Sequence, residues 1–248
     1  GATGDFSIAD KIVHTGDTNT AIRFPSADTV TVETGGSERL RIDSGGKILA
    51  GATSSRNVAG GYAKLQVEAT SSEGVSITRT SADNGAVYLT LGKTRNGSAC
   101  QAGDTIGSIS WNPDDGTDLN HPASEIQTVV ASGIGGNDVP GDLVFKTNGG
   151  ATSTTERLRI TSDGELVIGM TAAGGAAADA RLQVRGDTYA RAKIQVLGTH
   201  NDDNPVGLTL AKSRGSGNTI LGDNDDIGQI DFAGNDGNGF HNVGRIMV

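Results

Sequence analysis

Apolar and polar residues alternate along this chain in short runs. Leu40/Ile42, Leu65/Val67, Val75/Ile77, Val87/Leu89/Leu91 and Ile109/Trp111 sit two apart, with Thr, Ser, Arg and Gln between them, and Glu165-Leu166-Val167 continues the same texture. Period two is the spacing of side chains on one face of a β-strand. No stretch holds helical period. The run from Ala172 to Ala180 leans towards helix, but Gly174-Gly175 in its middle costs roughly 1 kcal/mol per glycine against alanine, so it reads as a loop. The pattern predicts strands over 20–24, 28–33, 38–42, 47–50, 63–68, 74–79, 86–92, 105–111, 124–130 and 142–147. It predicts a second series over 156–160, 165–169, 181–185, 192–198, 206–211, 226–232 and 243–248. Between the strands fall Ser44-Gly45-Gly46, Asn84-Gly85, Asn96-Gly97, Asp115-Gly116, Asn148-Gly149, Asp163-Gly164 and Asp236-Gly237. Asn-Gly and Asp-Gly supply the positive backbone angles of tight hairpin turns, which predicts antiparallel neighbours at many of them.

The two series are similar in wording as well as in period. Glu38-Arg39-Leu40-Arg41-Ile42 returns as Glu156-Arg157-Leu158-Arg159-Ile160, and Lys64-Leu65-Gln66-Val67 as Arg181-Leu182-Gln183-Val184. Leu89-Thr90-Leu91-Gly92-Lys93-Thr94-Arg95 pairs with Leu208-Thr209-Leu210-Ala211-Lys212-Ser213-Arg214, Ile106–Trp111 with Ile227–Phe232, and Ile126 with Ile246. The offset drifts only from 117 to 121, as expected when rigid segments are kept and loops vary. The expected organisation is two tandem copies of a unit of about 120 residues. Residues 1–37 form the end of a preceding unit, 38–155 the first unit and 156–248 an incomplete second one. The first copy continues past Ile126 through Asp142-Leu143-Val144-Phe145, which predicts a similar strand of the parent chain beyond Val248.

Composition adds a constraint on the core. Glycine supplies 38 of 248 residues and aromatic residues only 4%, so few large side chains are available to fill a thick single-chain interior. Burial between chains is the remedy. The formal charge of −9 and the scattered basic residues argue against nucleic-acid binding, which gains from a dense Lys/Arg patch. Apolar stretches of a few residues fit no membrane-spanning helix, and no membrane insertion is expected. Cys100 stands alone, which rules out an intrachain disulfide framework and a cysteine-based zinc cluster.

Gly136-Asn137-Asp138-Val139-Pro140-Gly141-Asp142-Leu143-Val144-Phe145-Lys146-Thr147, followed by Thr155-Glu156-Arg157-Leu158-Arg159-Ile160-Thr161-Ser162-Asp163-Gly164, resembles a repeat of tail-fibre proteins of tailed phages. Asp17–Pro25 and Val30–Thr34 look like such fibres too, especially those of marine cyanobacterial phages. The resemblance covers most of the chain. It implies a virion appendage, a parallel homotrimer, and often a terminal intramolecular chaperone domain of the endosialidase type, which is not visible in these residues. One departure is Ile168-Gly169-Met170-Thr171-Ala172-Ala173-Gly174, where the family has a shorter Thr/Ser/Pro connection.

Several strings invite chemical readings and lose to bland ones. Asp43-Ser44-Gly45-Gly46 looks like a protease nucleophile loop, but Ile42 stands where a glycine belongs and the second copy reads Thr161-Ser162-Asp163-Gly164. It is expected to be a turn. Gly92-Lys93-Thr94 ends like a phosphate loop, yet an alternating strand precedes it and no helix pattern follows. The acidic runs Asp114-Asp115-Gly116-Thr117-Asp118 and Asp223-Asn224-Asp225-Asp226 could hold calcium, but neither fits the EF-hand string, and solvated turns are expected. His121 and His241 occupy matching places and could ring a threefold axis around a metal. They are read as loop residues. Asn96-Gly97-Ser98 is a glycosylation sequon that a bacterially made protein leaves bare. The expectation is therefore no catalytic residue, no cofactor and no metal.

Taken together, the sequence and the resemblance lead to the expectation of an all-β, elongated, parallel homotrimeric fibre of short strands and tight turns. It is a non-enzymatic structural segment of a phage tail fibre, located in the virion, that carries a receptor-binding tip and mediates host attachment. Its expected partners are its own copies, other virion tail proteins, and a host surface glycan or protein receptor reached through the distal tip. Three chains at −9 would carry −27 and repel neighbouring fibres. Leu89, Leu91, Leu208 and Leu210 are the expected anchors between chains. The alternatives are an enzymatic tailspike degrading surface polysaccharide, which would need paired carboxylates and exposed aromatics across a groove, and a cellular filament or adhesin.

Overall fold

The structure, a computed structural model, describes residues 7–72, 74–172, 180–188, 192–197, 199, 205, 207–212 and 222–248. Among them every regular element is a β-strand. Six form one sheet in sequence order: β1 (Lys11–His14), β2 (Asp17–Arg23), β3 (Val30–Thr34), β4 (Ser37–Ile42), β5 (Ile48–Ala50) and β6 (Leu65–Val67). Six more do the same: β7 (Thr105–Trp111), β8 (Ser124–Val130), β9 (Gly141–Thr147), β10 (Thr155–Ile160), β11 (Leu166–Ile168) and β12 (Leu182–Val184). A hairpin of β13 (Gln229–Asn235) and β14 (Phe240–Met247) follows. By compactness the chain divides into two units, Gly1–Gly92 with Ile109–Glu125 and Asn148–Thr154, and Lys93–Ser108 with Ile126–Thr147 and Thr155–Val248.

In the first unit β1 to β5 meander antiparallel, and β6 then pairs with β5 in parallel. A parallel partner cannot be reached by a tight turn, so residues 51–64 must cross over one face of the sheet. Gln66 pins that crossover: its carboxamide accepts the Arg56 amide at 2.8 Å and donates to the Arg56 carbonyl at 3.1 Å. In the second unit β9, β10 and β11 are antiparallel and β12 joins β11 in parallel.

The same local geometry recurs at the reversal. Leu49 and Val167, central in β5 and β11, are fully buried. Leu49 faces Arg41 and Gln66 across the ladder, and Val167 faces Arg159 and Gln183. Arg41 grips Glu38 at 2.6 Å, and Arg159 grips Glu156 at 2.8 Å and also Asp142, so each guanidinium lies over its sheet with its charge matched. Gly51 and Gly169 end β5 and β11 at φ of +80° and +77°. A Cβ there would sit 2.1 Å from the Glu68 carbonyl oxygen and 2.2 Å from that of Arg185, so only glycine fits.

Most predicted strands form ladders, several over the same residues. β1 was not anticipated, because four residues carry too little alternation to stand out. Four predicted strands form no ladder among the described residues: 74–79, 86–92, and the described parts of 192–198 and 206–211. The chain there is exposed and has no regular structure. The helix-leaning run 172–180 lies almost wholly outside the described residues.

The turns divide as well. At Asn96-Gly97 φ is +49° and +85°, and Arg95 and Ser98 exchange hydrogen bonds of 3.1 and 2.9 Å across a closed hairpin turn. Asp236-Gly237 joins β13 to β14. Asn84-Gly85 does not close: neither residue has the positive φ that the two-residue turn requires.

Candidate functional site

Alternation places two rows of apolar residues on one face of the first sheet. One row runs Ile12, Ile22, Val32, Leu40, Ala50, Val67 across the ladder, and its neighbour runs Val30, Ile42, Ile48, Leu65. The opposite face carries Arg23, Thr31, Arg41, Leu49 and Gln66. The crossover is tied to this second, charged face through Arg56 and Gln66, and Thr31 and Leu49 are buried there. The apolar face stays open. Ile12, Ile22, Leu40, Ile42, Ile48, Leu65 and Val67 are 38–63% exposed.

This inverts the usual one-sided antiparallel sheet, which packs its apolar face and solvates its polar one. Fully burying such a side chain contributes about 1.5–3 kcal/mol, so at half exposure each of the seven leaves on the order of 1 kcal/mol unrealised. The sum, roughly 7 kcal/mol, is comparable with the whole stability of an ordinary domain. A contiguous open face of this kind marks an interaction surface.

The expected anchors behave alike in the two copies. Leu89 and Leu208 are 71% and 80% exposed, and Leu91 and Leu210 are 48% and 47% exposed. Among the described residues each keeps about half or more of its surface exposed. Where the first of these segments leaves its strand-like stretch, it is tied down by an acidic hub that sequence reading overlooked. Asp104, only 8% exposed, accepts Arg95 Nε at 2.7 Å, Lys93 Nζ at 3.0 Å and the Gln101 amide at 2.8 Å. The Arg95 guanidinium, then the Gln101 N–H and the Lys93 ammonium, hold the carboxyl well below the usual carboxylate range. In the second copy Asp225 accepts Lys212 at 3.1 Å and the Gly222 amide at 2.7 Å. The offset of 121 between the two aspartates, set beside Lys93/Lys212, was the available signal.

The strings with chemical readings take up ordinary places. Asp43 turns the chain between β4 and β5, its Oδ1 accepting the amides of Gly45 and Lys47 at 2.9 Å each, so its carboxylate serves the turn. Lys93 lies outside the strands and spends its ammonium on Asp104. Asn96-Gly97-Ser98 forms the hairpin turn described above, and the Cys100 thiol donates to the Lys93 carbonyl at 3.4 Å.

Asp115, Asp118 and His121 come together. His121 Nδ1 lies 3.3 Å from Asp115 and 3.7 Å from Asp118, at the rim of an open recess of ≈ 530 Å³ that Pro122 and Asn148 also line. These atoms could all reach one cation. Asp115 Oδ1 is already engaged by the amides of Thr117 and Asp118, and those bonds, more than His121, draw its pKa down. His241 likewise lies 3.3 Å from Asp236, but Gly239 stands near where the second carboxylate would be needed.

No protein-family model matches this sequence, and no curated protein sequence does. Among solved structures it is similar to the carboxy-terminal domain of the bacteriophage T5 L-shaped tail fibre, at 15% identity and a TM-score of 0.47, over 77% of this chain and 83% of that one. The same T5 domain with its intra-molecular chaperone domain is similar at 14% identity and a TM-score of 0.47, over 84% of this chain and 60% of the other.

Proposed function

We propose that this chain is a shaft-like segment of a phage tail fibre that works as a parallel homotrimer and carries a receptor-binding tip towards the host surface. The observation that carries the reading is the open apolar face of the first sheet, set against a charged face to which the crossover is tied. Three identical faces turned towards one axis bury each other and leave the ionic residues outside, where the acidic exterior keeps fibres apart. A closed ring of chains also removes the free strand edges that an isolated sheet offers to other proteins. The tail-fibre assignment rests on the sequence words around Gly136–Gly164, which resemble phage fibre repeats, and the virion is the corresponding location. Other tail proteins, and a host glycan or protein at the tip, are the partners that role requires.

Two tandem copies, 38–155 and 156–248, fit this role because a shaft grows by repetition, each unit stacking on the next. The matched pairs Leu49/Val167, Arg41/Arg159, Gln66/Gln183 and Gly51/Gly169 support that division. The role is mechanical, and no catalytic step is assigned. Sedimentation equilibrium or mass photometry tests the assembly: the expected species has three times the chain mass of 25.2 kDa. A folded, stable monomer at micromolar concentration would end the proposal.

A further inference from the structure

Asn-Gly occurs four times in this chain, at 84–85, 96–97, 148–149 and 238–239. The pair has a chemistry of its own. Because glycine has no side chain to obstruct the approach, its amide nitrogen can reach the carboxamide of the preceding asparagine and close a five-membered imide. That requires both groups to be free to meet, and the structure grants the freedom unevenly among the four pairs.

Asn84 is exposed, and among the described residues no hydrogen bond engages its main chain or its carboxamide. From 74 to 92 no backbone N–H or C=O joins another backbone group among the described residues, so no ladder has to break for Asn84 to turn. One restraint acts on the attacking nitrogen: the Gly85 N–H is given to Asp83 Oδ1 at 2.8 Å, at an exposed corner. Asn148 is the opposite case. Its Nδ2 donates to the carbonyls of Pro122 at 3.0 Å and Ala151 at 2.7 Å, and its Oδ1 accepts the amides of Gly150 and Ala151 at 2.8 Å each, so the carboxamide is tied on both sides. Asn96 holds a φ of +49° in the turn that Arg95 and Ser98 close, and the planar imide ring demands a backbone outside that turn. Around Asn238 the Asp236 carboxylate accepts the amides of Asn238 at 2.9 Å and Gly239 at 3.2 Å, inside the loop that β13 and β14 close.

We propose that Asn84-Gly85 is a self-modification site, the first of the four pairs at which the folded chain converts asparagine into aspartate and isoaspartate. In the first step a bond forms from the Gly85 nitrogen to Asn84 Cγ and the Cγ–Nδ2 bond breaks. The departing nitrogen takes the Gly85 proton and leaves as ammonia. Water then opens the imide. Attack at the side-chain carbonyl gives aspartate on an unaltered main chain, and attack at the main-chain carbonyl gives isoaspartate, with the chain rerouted through Cβ and Cγ. Either product adds one negative charge to the chain's −9, next to Asp83. The new carboxylate competes for the Arg79 guanidinium, whose two terminal nitrogens lie 2.6 Å from Asp83, and so loosens that corner. Asp83 is a brake on the reaction. The attack needs the Gly85 nitrogen without its proton, and a carboxylate that both holds the N–H and carries a like charge opposes this. The inference does not rest on the assembly proposed above.

Incubation of the folded chain at mildly alkaline pH, sampled over days, tests the order of the four sites. Trypsin places the four pairs on four different peptides, since Lys or Arg residues separate them all. Mass spectrometry then reads the exchange of amide for acid, and methyl transfer by a protein isoaspartate methyltransferase reads the isoaspartate. The Asn84 peptide is expected to convert several-fold faster than those of Asn96, Asn148 and Asn238. In urea, where the turns and the Asn148 bonds are gone, the four rates should converge, because the dipeptide is the same. Asp83→Ala should raise the Asn84 rate several-fold in the folded chain and leave the other three sites unchanged. Equal rates at all four sites in the folded chain, a faster Asn96, Asn148 or Asn238, or an Asn84 lead that persists undiminished in urea would overturn the inference. An unchanged or slower Asn84 rate in Asp83→Ala would overturn the braking role.

Discussion

Gly51 offers the most quantitative test of how the sheets reverse direction, because Gly46 provides a control within the same sheet. Both residues have positive φ, +80° and +70°, so alanine at either position bears the left-handed penalty of roughly 1–2 kcal/mol. Around Gly46 nothing lies within 4 Å of the new Cβ. At Gly51 the Cβ would stand 2.1 Å from the Glu68 carbonyl oxygen, a backbone atom that cannot swing aside. The chain after β6 must retreat, which breaks the Glu68 N–H bond to the Ala50 carbonyl (2.9 Å) and strains that of Gly51 to the Arg39 carbonyl (3.1 Å). At about 1 kcal/mol each these bring the cost of Gly51→Ala to roughly 3–4 kcal/mol, against 1–2 for Gly46→Ala. Urea titration followed by far-ultraviolet circular dichroism reads the difference at fixed protein concentration. Thermal scans should show a midpoint lower by about 6–16 °C for Gly51→Ala, using 2–4 °C per kcal/mol for a chain of this size. Gly169→Ala, with 2.2 Å to the Arg185 carbonyl, should match it. If Gly51→Ala and Gly46→Ala agree within about 0.5 kcal/mol, the close approach imposes no constraint and the reasoning is wrong.

Three further outcomes are expected. Asp104→Asn should destabilise the protein at neutral pH: the folded pKa of Asp104 is depressed, so its contribution is present above the unfolded value of about 4 and is lost as pH falls towards the folded one. The gap between parent and variant in urea midpoint should therefore narrow below about pH 4, and a gap constant down to pH 2 would refute the assignment. Leu91→Asp should weaken assembly by several kcal/mol if the side chain is enclosed between copies, and Leu210→Asp should do the same; soluble trimers of unchanged melting temperature from both would place these faces outward. Elemental analysis of purified protein should find no stoichiometric iron, zinc or nickel, whereas a metal near one per three chains that disappears in His121→Ala would reverse the reading of His121.

Period-two alternation was enough to locate β4, β5, β7, β8, β9 and β10, because in a strand the direction of each side chain is set by its own backbone and needs no distant information. The low aromatic content left few large side chains for a single-chain interior, and among the described residues Ala21, Leu49, Val130, Val144 and Val167 are the buried apolar ones. The same local signal could not say which strand lies beside which. Residues 86–92 alternate as well as 105–111 do, yet only the latter enters a ladder, since a ladder depends on a neighbour supplied from elsewhere. Asn84-Gly85 and Asn96-Gly97 are one dipeptide with two outcomes: the second closes a turn, whereas at the first the Gly85 amide and carbonyl are taken up by the Asp83 and Arg79 side chains. The open apolar face was legible as a row of alternating residues, but its exposure was not. That goes with the parallel step from β5 to β6, where residues 51–64 meet the side of Gln66 through Arg56 while, among the described residues, Ile12, Ile22, Leu40, Ile42, Ile48, Leu65 and Val67 on the other side stay 38–63% exposed, a choice of side that no short stretch of sequence records.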